Sequence, residues 1–191
     1  MTPLILGLIL FLGVHSVRIV AEPWRAAQIA RRGEGAWKGI YSVLSIAGFV
    51  FIVWGYGLAR QDPVALWAPV LWARHLASLL MWVAFVLLVA AYVPNNGIKS
   101  RVHHPMVLAV KVWALAHLLA NHTLADVLLF GSFLVWAVLD FRAARARDRA
   151  SQISYAPGKL SGTLITLVGG TVVWLVFSMW LHVMLFGVRP F

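Results

Sequence analysis

The sequence predicts an all-α, polytopic integral membrane protein: a six-transmembrane-helix bundle forming one domain over residues 1–191. Three observations carry the prediction. The chain is 62% hydrophobic and only 12% charged, where soluble domains run at roughly 45–50% apolar and ~25% charged. Its mean hydropathy is +0.86. Apolar runs recur at close to the ~20 residues that a bilayer crossing needs, and the basic residues are confined largely to every second loop between them.

The first span, 3–21, resembles a signal peptide only in position. It has no basic residue before Arg18, and Glu22-Pro23-Trp24-Arg25 follows it instead of a small-residue cleavage site, so it is expected to be retained. The second and third spans are 38–59 and 71–93. The fourth, 105–121, is short and nearly fused to the fifth, 124–141, with Asn121-His122-Thr123 making the turn. The sixth, 160–187, is long enough to tilt or to extend past the lipid. Pro63, Pro69, Pro94, Pro105 and Pro157 fall outside the span interiors, where proline starts or stops a helix.

Orientation follows from charge. Loops 22–38, 94–104 and 142–159 hold 11 of the 16 Lys and Arg residues, and the opposite loops and C-terminus hold Arg60 and Arg189. The basic loops are expected in the cytoplasm, with both termini on the periplasmic side of a bacterial inner membrane. The net charge of +10 therefore implies a lipid bilayer as partner, not nucleic acid. The run from Arg142 to Arg149 reads as a cytoplasmic extension of the fifth span that touches lipid phosphates. There is no cysteine, which excludes disulfides, thiolate metal sites and cysteine nucleophiles. No phosphate-binding glycine loop, paired carboxylates or Ser-His-Asp spacing compatible with the topology is present.

Ionisable residues at membrane depth are the functional candidates. His15, His75, His117 and His182 fall within spans, and His122 sits at the turn. At about 1.5 Å per residue, His15 and His117 differ in depth by roughly 10 Å. A haem iron can bridge such a pair from neighbouring helices, because the ring needs only an apolar slot and axial ligands. Arg18, one turn beyond His15, can pair with a propionate or snorkel to headgroups, and Lys111 has the same two options. Trp113 can pack on a cofactor or on a neighbouring helix. Asn121 can touch a ligand or cap its helix. In a second arrangement His75, His117, His122 and His182 gather near the outer face with Arg74 and Asp126. They would hold a metal, or supply the second haem ligand in place of His15. Asp126, four positions after His122, can orient that ring if the helix begins early. The plain alternative for each histidine is an interhelical hydrogen bond. His103 and His104 read as interfacial, with His104 preceding the Pro105 helix start.

The segments "HSVR" at 15–18, "HHPMVLAVKVWALAHLLAN" at 103–121, "LLFGSFLVWAVLD" at 128–140 and "LHVMLFGVRP" at 181–190 together resemble the NnrU family of six-span membrane proteins over nearly the whole chain. The His-Pro-Met start and the Trp-x-x-x-His helix are the most specific parts. The resemblance implies a role in bacterial denitrification, chiefly nitric oxide reduction. The superfamily also includes 15-cis-zeta-carotene isomerases, which look like haem b enzymes with one histidine from the first span and one from the Trp-x-x-x-His helix. Those positions match His15 and His117. The chain departs from the pattern in two places. It has His103-His104-Pro105 where the family usually has Arg-His-Pro, and Ala114 where the isomerases have a cysteine. A mechanism that exchanges thiolate for histidine on iron cannot operate without cysteine.

The leading expectation is a haem b protein supporting nitric oxide or nitrite metabolism, with a respiratory reductase complex as its partner. The alternatives are a haem-dependent cis–trans isomerase acting on an apolar, carotenoid-like polyene, and a cofactor-free membrane assembly factor.

Overall fold

In a computed structural model describing residues 1–190, every predicted span is a helix. They are α1 (Thr2–Val20), α3 (Glu34–Ala59), α4 (Leu71–Tyr92), α6 (Pro105–Ala120), α7 (Leu124–Ala150) and α8 (Leu160–Val176). Past α8 the sixth span continues as a π-helical turn, Phe177–Leu181, and α9, His182–Phe186. No strand forms among the described residues. Five of these segments are long and apolar enough to cross a membrane, while Pro105–Ala120 is a shorter apolar helix.

The basic loops contain helix that the apolar pattern did not announce. Loop 22–38 holds α2 (Glu22–Arg32), which begins on Glu22 and Pro23 and ends on Arg31 and Arg32. Acid at the first turn and base at the last suit the helix dipole. Trp24 packs edge-on against Trp37 of α3, with ring centroids 5.8 Å apart. Gly33, at φ +83°, makes the corner between the two helices, a conformation that costs glycine little. Loop 94–104 holds α5 (Gly97–Val102). The fifth span runs on to Ala150, the extension that its arginines implied.

The helices pack in a row. α3 lies on α1, α1 and α6 flank α7, α6 lies on α4, and α4 lies on α8. The α1–α3 contact depends on missing side chains. A Cβ on Gly7 would lie 2.6 Å from Ile52 N, one on Gly48 would lie 2.8 Å from Phe11 N, and one on Gly55 would overlap the backbone of Leu4. Small residues allow such close backbone approach in lipid, where packing replaces hydrophobic burial as the driving force. Leu4, Leu8, Ile52, Ala114, Leu129 and Phe130 form the core where α1, α3, α6 and α7 meet.

The loop contacts sort the ends. At one end, Lys159 N donates to Asn95 O at 2.6 Å, His104 pairs with Asp148 and Arg147 reaches Arg18 O. These contacts gather the basic loops. At the other end, Leu66 N donates to His122 O and Leu124 N to Val64 O, and Arg60 Nη1 donates to Phe186 O at 2.9 Å. Buried Asn96 organises the basic end. Its amide donates to Ala90 O and Val93 O and accepts from Lys99 N. Asn96→Ala removes a helix cap and leaves two buried carbonyls with a lost donor. It is expected to cost about 2–4 kcal/mol, read as a lower unfolding temperature in detergent.

Candidate functional site

At the end opposite the basic loops, α4, α6 and the sixth span enclose a cavity of about 370 Å³. Arg74, Ala77, Ser78, Met81 and Phe85 of α4 line one side, and Ala116, His117 and Ala120 of α6 line another. Asn121 and His122 come from the turn, and Trp174, Phe177, Ser178 and His182 from the sixth span. Val188, Arg189 and Pro190 of the C-terminal tail complete it. The π-helical turn places Phe177 and Ser178 on the wall and delivers His182 just after it. Such turns add one residue per turn and commonly mark functional sites.

Three of the expected outer histidines therefore share one cavity. His117 donates from Nδ1 to Trp113 O at 2.9 Å and stacks on Phe130 of α7 at 4.5 Å. His182 uses Nδ1 in the same way on Val188 O at 2.7 Å, which also ties down the tail. With Nδ1 committed to a carbonyl, each ring presents Nε2 as its free nitrogen. That tautomer suits metal ligation. No cluster of three or more His, Cys, Asp or Glu suitable for a bare metal ion occurs among the described residues.

The structure does not bring His15 and His117 together. Among the described residues the α1 and α6 backbones do not approach each other closely, while α7 packs against both. His15 meets Trp136 and His117 meets Phe130, six positions apart and thus about 9 Å along α7. The rings of Phe11, Phe133 and Trp113 form a continuous series from one imidazole to the other, at centroid spacings of 4.1, 5.8, 5.5 and 5.2 Å. Two nitrogens on one iron must stand roughly 4 Å apart, at about 2 Å per bond. The structure thus sets the two imidazoles beside different levels of α7.

The remaining expected residues divide. Trp113 contacts His117, Phe130 and Phe133, so it backs the His117 ring. Asn121 donates to His117 O at 3.0 Å and caps the end of α6 at the cavity wall. Arg18 is exposed at the basic end, and Lys111 lies over the Phe141 ring at 4.8 Å. His75 is exposed and does not line the cavity, so it is not part of the outer group. Asp126 does not orient His122. The helix begins only at Leu124, and Asp126 closes a capping box with Thr123. Its Oδ2 accepts from Thr123 N and Oγ1, and its Oδ1 accepts from Tyr56 of α3 at 2.5 Å.

Tyr56 was not singled out by the sequence, since nothing in an apolar helix marks one tyrosine as the partner of a carboxylate 70 positions away. Tyr56→Phe leaves a buried carboxylate short of one donor and is expected to cost about 1.5–3 kcal/mol, measurable by thermal unfolding. Thr123-x-x-Asp126 was a readable capping signal. A second unannounced group lies at the basic end. His104 Nε2 meets Asp148 Oδ2 at 2.8 Å, Tyr155 donates to the same oxygen at 3.0 Å, and His103 stacks on Tyr155 at 4.1 Å while bonding Arg145. Burial and the Asp148 bond raise the Tyr155 phenol above its ordinary value. The paired histidines thus anchor the α7 extension to the start of α6.

The family model described as "NnrU protein" matches residues 3–190. No curated protein and no solved structure matches the chain.

Proposed function

This chain belongs to the NnrU family, and from that premise we propose that it is a haem b-binding protein of the bacterial inner membrane that supports nitric oxide or nitrite metabolism. In this reading its six apolar helices cross the bilayer with both termini in the periplasm. The observation that carries it is the pairing of His117 and His182 on one cavity, each with Nδ1 held by a backbone carbonyl and Nε2 free.

The donor set suits the group. His117, with His182 or His122, would hold the iron. Met81, Phe85, Trp174 and Phe177 offer an apolar slot, and Arg74 and Arg189 stand ready for carboxylates. Bound haem would supply one-electron redox chemistry at the periplasmic face. The chain's own task is to hold the imidazoles in one tautomer, exclude bulk water and meet the propionates. In family members of this kind the electron partner would be a respiratory reductase, reached from the periplasm.

Protein purified from haem-supplied cells should show a low-spin b-type reduced-minus-oxidised spectrum at close to one haem per chain. A folded preparation that remains colourless under those conditions overturns the reading.

A further inference from the structure

Between α1 and α7 lies an open groove of about 480 Å³, lined by Ser16 of α1 and by Gly131, Ser132, Val135, Trp136 and Leu139 of α7. Val135 and Leu139 are exposed. Both helices are long and apolar enough to cross a membrane, so the groove opens sideways onto lipid. Small residues keep it hollow. A Cβ added at Gly131 would meet nothing within 4 Å, so the chain itself leaves that space unfilled. The Ser16 and Ser132 hydroxyls line it without a hydrogen-bond partner among the described residues.

The groove ends in charge. Arg18 follows Ser16 by two residues, about 3 Å along α1. It is exposed and has no acidic partner among the described residues. Arg147 folds back along α7 toward the same level. Its Nη1 donates to Arg18 O at 3.4 Å, and its Nη2 lies 3.9 Å from Oδ1 of Asp140, the residue after Leu139. That ion pair is at the limit of contact, and 31% of the Arg147 side chain stays exposed. Two guanidiniums therefore stand where the helices that form the groove leave the apolar layer, against one carboxylate.

An amphiphile with an anionic head matches this order of groups. A hydrocarbon tail suits an apolar cleft open to lipid. Ester carbonyls only accept, and the Ser16 hydroxyl beside the charged end can donate. A phosphate suits a pair of guanidiniums, and basic pockets between helices at a membrane surface hold anionic head groups. We propose that the α1–α7 groove binds one anionic phospholipid, its phosphate on Arg18 and Arg147 and one tail along Gly131 and Ser132. A zwitterionic lipid offers the same tails and phosphate, but its ammonium cancels the charge. Selection between the two therefore rests on the arginines. The site shares no residue with the His117 cavity and does not depend on the haem reading.

The test is native mass spectrometry of the full chain, released from nanodiscs holding equal amounts of phosphatidylglycerol and phosphatidylethanolamine with matched tails. One phosphatidylglycerol per chain should be retained in preference. Arg18→Gln with Arg147→Gln should lower that retention about 25-fold, roughly fivefold per charge. Gly131→Leu, inside the groove, and Val135→Trp, at its exposed rim, each keep both arginines and should lower it too by occupying the space. Arg31→Gln with Arg32→Gln removes the same charge from the end of α2 and should leave retention at the parent level. Equal retention of the two lipids overturns the proposal. So does a loss that Arg31→Gln with Arg32→Gln reproduces, since that is diffuse attraction to basic loops, and so does retention that ignores both Gly131→Leu and Val135→Trp.

Discussion

His117→Ala is expected to abolish the b-type difference spectrum, with retained haem falling by more than about 100-fold. Altering a mere supporting partner of a metal ligand typically costs 10–100-fold in affinity, and this change removes the ligand itself. The protein should still fold, because the imidazole's Nδ1 bond returns to its own helix at Trp113 O and ties no second element down. His182→Ala and His122→Ala identify the other ligand: the variant that converts a low-spin spectrum to a high-spin one has lost it. His15→Ala is the decisive control. Its ring lies beyond Phe11, Phe133 and Trp113 from the cavity, so haem content should be unchanged. Loss of the spectrum in His15→Ala with His182→Ala intact would show that the two ends of that aromatic series close on one iron, and the cavity assignment would fail.

Gly55→Leu is expected to prevent assembly of the α1–α3 pair. A Cβ at position 55 already overlaps the Leu4 backbone, and main chain cannot rotate aside. The helices would have to separate, opening the Gly7 and Gly48 crossings with them. Gly55→Ala should cost at least the 1–3 kcal/mol or so of an overpacked core, and Gly55→Leu should leave little correctly folded protein in the membrane. Gly57→Ala is the matched control, since nothing lies within 4 Å of its added carbon, and its yield should equal that of the parent. Size-exclusion profiles and unfolding temperatures of the three variants decide the matter. A monodisperse, stable Gly55→Leu protein would contradict the packing.

Much of this fold was written in the apolar runs. Hydropathy located six helices, five of them long and apolar enough to cross a membrane, because in lipid each backbone must satisfy itself as helix. It ended the fifth at 141, where the helix runs on to Ala150. Charge gathered the three basic loops at one end, where Asn95, Arg18 and Asp148 now hold them together. What hydropathy does not encode is which helices touch. His15 and His117 were joined on the assumption of neighbouring spans, but among the described residues the α1 and α6 backbones do not approach each other closely, while α7 packs against both. His75 and His182 have similar expected depths, yet only His182, just after a π-helical turn, lines the cavity. A single inserted residue in a helical turn leaves no trace in composition. α2 escaped notice for another reason: an interfacial helix carries its apolar residues on one narrow face and has too few of them for a span.

The row of helices has one seam. α1 and α3 form one block, and α4, α6 and α8 form another. Among the described residues α7 alone packs against both, and it carries Phe130 under His117 and Trp136 beside His15. It is the one element shared by both blocks. A change in its tilt would move Phe130 under His117 and Trp136 beside His15 together.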